Sequence, residues 1–393
     1  MVRFQKITSL LLSLCLLFSL LSGCADNSSN NTSSDAAPTV TTPAETPAPS
    51  PEPPAESAPA PAPEEPAPEE PAEDAAPALI SWGEEKPITQ QAMDDQTMII
   101  CFMSGEGLQI SGGSSESGFG ETKWGDSALI AFPNGEVMLI DGGMPDYRHM
   151  LNDNLTALGV TKLDYVVLSH RHDDHWGGLL TLGGAIDTFE VGTLYSSGMF
   201  NGASSDPAAL EGKARDLNIN IEQLHSGDIL EIGDVSIEVL WPAAELAGTY
   251  SANTEDCNNG SLVMRFQYGD VSTLFTGDLY VSGEWDLINA LKETGEVEKL
   301  DVDILKIPHH GRKTSSSGDF VDAVTPQVAV ATGAIIMETG TYSRYAKSGA
   351  RVLMDYFDGY VKIATDGTNI DIECSRVRDA ENYDRIDAAF KTP

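Results

Sequence analysis

Seven histidines occur in the chain, and five of them stand in two short groups: His170, His172 and His175, and the adjacent pair His309 and His310. Scattered histidines are commonly satisfied polar residues, but grouped ones at predicted strand ends point to a shared ligand. The first group reads His170-Arg171-His172-Asp173-Asp174-His175. On an extended segment, residues two apart point the same way, so His170 and His172 can converge on one ion. Asp174 and His175 follow where the chain turns into Gly177-Gly178, and can address a second ion beside it. Neutral imidazoles and carboxylates suit zinc, and also manganese or iron. Two ions roughly 3.5–4 Å apart usually share a bridging carboxylate. Thr276-Gly277-Asp278, at the end of its own predicted strand, offers one. A structural zinc site would use a closed Cys/His set, and no cysteine stands in the right place. The chemistry implied is metal-assisted hydrolysis, with Asp174 or Asp278 accepting a proton from water.

These residues need rigid elements to hold them. Apolar runs predict strands at Met98–Met103, Ala128–Phe132, Val137–Ile140, Tyr165–Leu168, Val191–Tyr195, Val302–Ile307, Val328–Ala331, Tyr360–Ile363 and Ile370–Cys374. Asn134-Gly135 is a hairpin turn signal. Two further hairpins turn at Gly233-Asp234 and Gly269-Asp270. Helices are predicted over Tyr147–Leu158, Asp206–Leu217 and Val281–Lys292, with a Gly/Ser-rich loop from Ser104 to Gly120. Hairpins interleaved with helices predict an α/β (α+β) fold of two mixed sheets packed face to face with helices outside.

The N-terminus reads differently. Arg3 and Lys6 precede an apolar core, Ile7 to Leu21, too short for a membrane span. It ends in Leu21-Ser22-Gly23-Cys24, which looks like a bacterial lipobox, so residues 1–23 are expected to be a signal peptide with lipid carried on Cys24. Residues 24–96, rich in Pro, Ala and Glu, are expected to form a disordered, extended linker. The catalytic domain is then 97–393. Net charge is −37; of 60 acidic and 23 basic residues, 15 and 3 lie up to Thr97, leaving the domain 45 and 20. Such an acidic domain has no basic stripe for nucleic acid. Cys101, Cys257 and Cys374 show no metal-type spacing and are expected to be unpaired thiols.

The ordered motifs resemble the metallo-β-lactamase superfamily. They are Gly125-Asp126-Ser127-Ala128, Asp141-Gly142-Gly143, the His170–His175 group, Asn258-Asn259-x-Ser261-Leu262-Val263, Gly277-Asp278, Lys306-x-Pro308-His309-His310-Gly311 and Thr365-Asp366-Gly367. Within the superfamily they are similar to the domain found in ComEC-type DNA-uptake proteins. The resemblance implies a four-layer αββα sandwich and two divalent ions, zinc foremost. His170 and His172 would bind one ion, Asp174 and His175 the other, with Asp278 between. One histidine of the His309-His310 pair would complete the second site. Asp141 would orient a ligand histidine, and Asp126 belongs to the same surrounding shell. Asn258 and Ser261 would touch substrate or shape the site.

Three positions depart from the family pattern. The one further histidine before Asp278 is His225, in a sequence that reads as a turn, which leaves the first ion one histidine short. Arg312-Lys313-Thr314-Ser315 follows the His-His-Gly, where relatives have Ser directly. Tyr342 to Lys347 contains no histidine. Arg312 and Lys313 suit a phosphate or carboxylate. The expected activity is phosphodiester or phosphoester hydrolysis at the outer face of a membrane, on a small or surface-attached substrate. Free duplex DNA is disfavoured by charge, and no protein partner is indicated. Amide or lactone hydrolysis of the β-lactam type is the alternative chemistry, and a non-catalytic surface binding protein on the same fold is the alternative class.

Overall fold

In a computed structural model of the chain, residues 86–105, 124–198, 200–201, 212–246, 249–251, 253–333 and 337–376 are described. The signal-like segment, Cys24, the Pro/Glu-rich stretch before residue 86 and most of the Gly/Ser-rich loop lie outside them. So does the first half of the helix expected over 206–217, of which residues 212–217 are described and 212–216 are helical.

Strand alternation explains the layering. Along Met98–Phe102 every residue is buried, yet the two sides differ. Met98, Ile100 and Phe102 enter the core between the sheets, while Ile99 and Cys101 face helices on the outside. That is the period-two division of a strand covered on both faces. The first sheet runs Ile370–Cys374, Val361–Thr365, Met98–Phe102, Ala128–Ala131, Val137–Ile140, Lys162–Leu168, Glu190–Ser196 and Asn220–Gln223. The second runs Arg351–Met354, Val328–Ala331, Ile304–Lys306, Val271–Phe275, Val263–Tyr268, Val235–Trp241 and Ile229–Ile232. Their facing sides share one core, in which Phe102 and Phe275 stack at 5.9 Å. Helices Arg148–Ala157 and Asp173–Leu180 cover the first sheet, and Val281–Thr294, Gly318–Val324 and Thr339–Ser348 cover the second. The architecture is the four-layer αββα sandwich.

Parallel pairing sets the working edge. Val137–Ile140 lies parallel to Lys162–Leu168, and Val271–Phe275 parallel to Ile304–Lys306. Their C-terminal ends therefore emerge in pairs, one pair from each sheet, and carry Asp141, His170, Asp278 and His309-His310. Cys101 and Cys257 are buried and Cys374 is partly buried, and none of the three is in a disulfide among the described residues.

One domain boundary needs correction. The expected linker ran to residue 96, but Ile88–Asp95 is a helix closed by a left-handed Gln96. Ile88 and Ala92 are buried in the helix-side core, and the Ile88 N–H donates to the Leu158 carbonyl at 2.9 Å. The folded body thus begins before Thr97. Sequence reading also passed over helix Thr254–Asn259, helix Thr339–Ser348 and strand Arg351–Met354. Ile88→Ala is expected to cost about 2–3 kcal/mol, the low end for a buried Ile truncation. Urea unfolding of the two proteins measures it, and an unchanged midpoint would return this helix to the linker.

Candidate metal centre

The first histidine group spans a strand exit and a helix start. Beyond Leu168 the chain bends at His170 and His172, and His172 (φ −92°, ψ 154°) stands immediately before helix Asp173–Leu180. His170 and His172 thus lie in the strand-to-helix connection, while Asp174 and His175 lie in the first helical turn. The chain does not simply turn at Gly177-Gly178, as expected; the helix runs through both glycines. Asp173 and Asp174 suit the positive end of its dipole.

The second half arrives on strained backbone. Gly277 has φ +50°, and a Cβ there would sit 2.8 Å from Ser261, so only glycine lets Asp278 approach this way. The Ser261 hydroxyl accepts the Asp278 N–H at 3.0 Å. His309 and His310 both adopt left-handed backbone, φ +50° and +55°, at roughly 1–2 kcal/mol per residue.

These elements bring the imidazoles around a single carboxylate oxygen. Asp278 Oδ2 lies 3.3 Å from His175 Nε2, 3.4 Å from His310 Nε2, 3.8 Å from His309 Nε2 and 3.9 Å from His170 Nε2. His310 Nε2 is also 3.3 Å from Asp174 Oδ2, and His175 Nε2 is 3.9 Å from Asp174 Oδ1. His172 Nδ1 meets His170 Nε2 at 3.0 Å. His175 Nε2, His310 Nε2 and Asp278 Oδ1 are fully buried and make no well-aligned hydrogen bond within the protein. Three orphaned polar atoms at one point match a site built for cations.

A second ring of contacts holds the imidazoles. His175 Nδ1 bonds Asp141 Oδ2 at 2.8 Å, and Ser169 donates to the same carboxylate through its backbone N–H (2.8 Å) and hydroxyl (2.6 Å). His310 Nδ1 meets the Thr332 carbonyl and Asp126 Oδ1, each at 3.0 Å. Asp126 lies close enough to His175, Asp278 and His310 to be counted with them in one cation-sized cluster. Its oxygens are engaged elsewhere, however: Oδ1 by His310 and the Thr332 hydroxyl, Oδ2 by Lys306 Nζ at 2.5 Å. It therefore stands behind His310.

Electrostatics divide the histidines. Burial disfavours the charged form of all five. For His170 and His172 it prevails and lowers their pKa; it also takes His309 down to about 4. For His175 the Asp278 and Asp141 carboxylates overcome burial and hold the ring well above its ordinary value. Asp126 and Asp278 do the same for His310. Burial opposes ionisation of Asp278 too, but His310 and His175 hold it well below the usual carboxylate range. Lys306 and His310 likewise keep Asp126 ionised against burial.

The remaining expected residues fall in different places. Asn258 is buried with Oδ1 lacking a hydrogen-bond partner, and its side chain reaches Tyr280. Ser261 is fully buried, with its hydroxyl under the Asp278 backbone. Arg312 and Lys313 are exposed, and the Arg312 charge lowers both His309 and Tyr280. His225 bonds within its own turn, to the Ser226 carbonyl and Asp228. Sequence reading missed Ser169, Lys306, Tyr280, Thr314 and Thr332 as site residues. Lys306 and Thr314 fell within segments noted for other residues, and nothing local marked the contacts that any of the five makes.

A family model described as the metallo-beta-lactamase superfamily matches residues 125–332, over half of the chain. The chain belongs to that superfamily. It is a metal-dependent hydrolase of this family, with a buried Asp/His cluster for divalent metal. The superfamily relatives include ComE operon protein 3 of Bacillus subtilis (strain 168), 29% identical over 246 residues, which cover 58% of this chain and 29% of the relative. Competence protein ComA of Neisseria gonorrhoeae is 33% identical over 207 residues, 53% of this chain and 25% of the relative. The chain thus spans less than a third of the length of either. The metallo-beta-lactamase fold protein YhfI from Bacillus subtilis superposes with a TM-score of 0.41 at 14% identity, covering 66% of this chain and 96% of YhfI.

Lys306, only 4% exposed, anchors this superfamily centre from behind. Lys306→Met leaves Asp126 charged and buried without its ammonium, and is expected to cost about 3–5 kcal/mol. Adding Asp126→Asn removes the stranded charge and recovers part of that loss. Urea unfolding of both singles and the double checks it; additive losses would contradict the coupling.

Proposed function

We propose that the chain hydrolyses phosphoesters or phosphodiesters, using two divalent ions, zinc foremost, on a small or surface-attached substrate. Lipid on Cys24 would tether it to the outer face of a membrane, with the Pro/Glu-rich stretch as a spacer. Among the described residues no helix is long and apolar enough to cross a membrane. The observation that carries the catalytic reading is the set of orphaned atoms on His175, His310 and Asp278, converging beside an exposed guanidinium.

His170 and His172 would hold one ion and Asp174, His175 and His310 the other, with Asp278 shared. Bound ions supply Lewis acidity and an acidified water near neutral pH. The protein's own groups do the rest. Asp174 or Asp278 accepts the proton of the attacking water. Arg312 and Lys313 draw the anionic group of the substrate to the mouth, and the buried Asn258 Oδ1 would accept from a donor such as a substrate hydroxyl or a water. Asp141 and Asp126 keep the rings of His175 and His310 aimed inward. The domain's excess of 25 negative charges disfavours free duplex DNA.

Purified, zinc-loaded protein is expected to cleave a p-nitrophenyl phosphodiester and to leave a chromogenic cephalosporin intact. Arg312→Ala should lower kcat/KM roughly 10–100-fold, mostly through KM, as loss of a charge-assisted contact does. Cephalosporin turnover without phosphodiester turnover would replace this reading with amide or lactone hydrolysis. Absence of both bound metal and turnover would make the protein a binding module.

A further inference from the structure

The family comparison leaves the His170/His172 ion one imidazole short, because His225 is tied into its own turn. We infer that His309 supplies that imidazole, so the His309-His310 pair serves both ions, one ring each. This rests on the two-ion reading of the centre and adds to it an assignment that motif order did not make.

Four observations carry it. Asp278 Oδ2 is surrounded by two pairs of imidazole nitrogens: His175 and His310 at 3.3 and 3.4 Å, and His170 and His309 at 3.9 and 3.8 Å. The nearer pair also contacts Asp174, and the farther pair includes the partner of His172. His310 thus goes with the Asp174 ion, while His309 Nε2 faces the same shared carboxylate as His170. Second, His309 Nδ1 is bound by the Thr314 hydroxyl at 2.5 Å. That fixes the ring and leaves Nε2 open, as outer contacts of metal-bound histidines do. Third, its ring is tilted over Tyr280 at 4.9 Å, which restricts its swing. Fourth, the left-handed backbone at both His309 and His310 sends two successive side chains to one centre. A chain in ordinary extended conformation would point them to opposite sides.

Cys257 is the rival donor. Its buried thiol lies beside the Arg171 backbone, between the two histidines of the first ion.

The test is zinc stoichiometry by elemental analysis after dialysis, on the full chain and on His309→Gly, His309→Ala, Cys257→Ser and His225→Ala. Glycine suits the positive φ at 309 and keeps the backbone unstrained. About two equivalents are expected in the parent, Cys257→Ser and His225→Ala, and about one in both His309 variants. Cobalt-substituted parent protein gives a readout independent of mutation. Its proton spectrum should show one more hyperfine-shifted imidazole N–H than His170, His172, His175 and His310 account for. Two equivalents in the His309 variants, or loss of one in Cys257→Ser, would overturn the assignment while leaving the phosphoester reading untouched. A single equivalent in the parent would overturn the two-ion centre, and this assignment with it.

Discussion

Buried negative charge is the constraint around which this protein is organised. Asp126, Asp141, Asp174 and Asp278 are each no more than 5% exposed and lie within one small region. Lys306 offers one buried ammonium against them, in contact with Asp126. Taking carboxylates out of water costs several kcal/mol apiece unless charge of opposite sign accompanies them. Without a cation, the deficit is met by holding His175 and His310 in their charged forms. Divalent ions held by these residues would supply the same positive charge and leave both rings as neutral ligands.

The fold exists to place those charges. Two parallel strand pairs, one in each sheet, end at the same edge of the sandwich, and Asp141, His170, Asp278, His309 and His310 follow those strand ends, while Asp126 precedes strand Ala128–Ala131. The core between the sheets makes that edge rigid, while the local backbone is bent to fit it. Gly277 turns where a side chain would strike Ser261, and His309 and His310 take left-handed conformations. Asp141 is left-handed as well, so three residues of this one centre take a conformation that L side chains rarely adopt, consistent with a site built for function.

Much of this was legible in the sequence because it is local. The spacing of His170, His172, Asp174 and His175, and the Gly277-Asp278 strand end, are patterns of residue type along the chain. The sandwich was readable because hairpin turns and apolar runs carry short-range signals. What escaped was decided at long range or by single torsions. Lys306 and Thr332 meet Asp126 across 180 and 206 residues, respectively, and no local pattern marks them. Whether His309 or His310 points at Asp174 depends on two φ angles. The Ile88–Asp95 helix was lost to the composition of its neighbours: it follows a long Pro/Glu-rich stretch and has only two buried residues, Ile88 and Ala92.

The domain's excess of acidic residues and its cation-demanding interior pull in the same direction, both favouring cations. The central claim is that the orphaned atoms of His175, His310 and Asp278 are ligands. An anomalous-difference map, recorded at the absorption edge of the metal that copurifies, tests it most directly. The account predicts a peak about 2.0–2.2 Å from His175 Nε2, His310 Nε2 and the Asp278 carboxylate. A map with no peak there, and those three groups joined only by ion pairs, would contradict it.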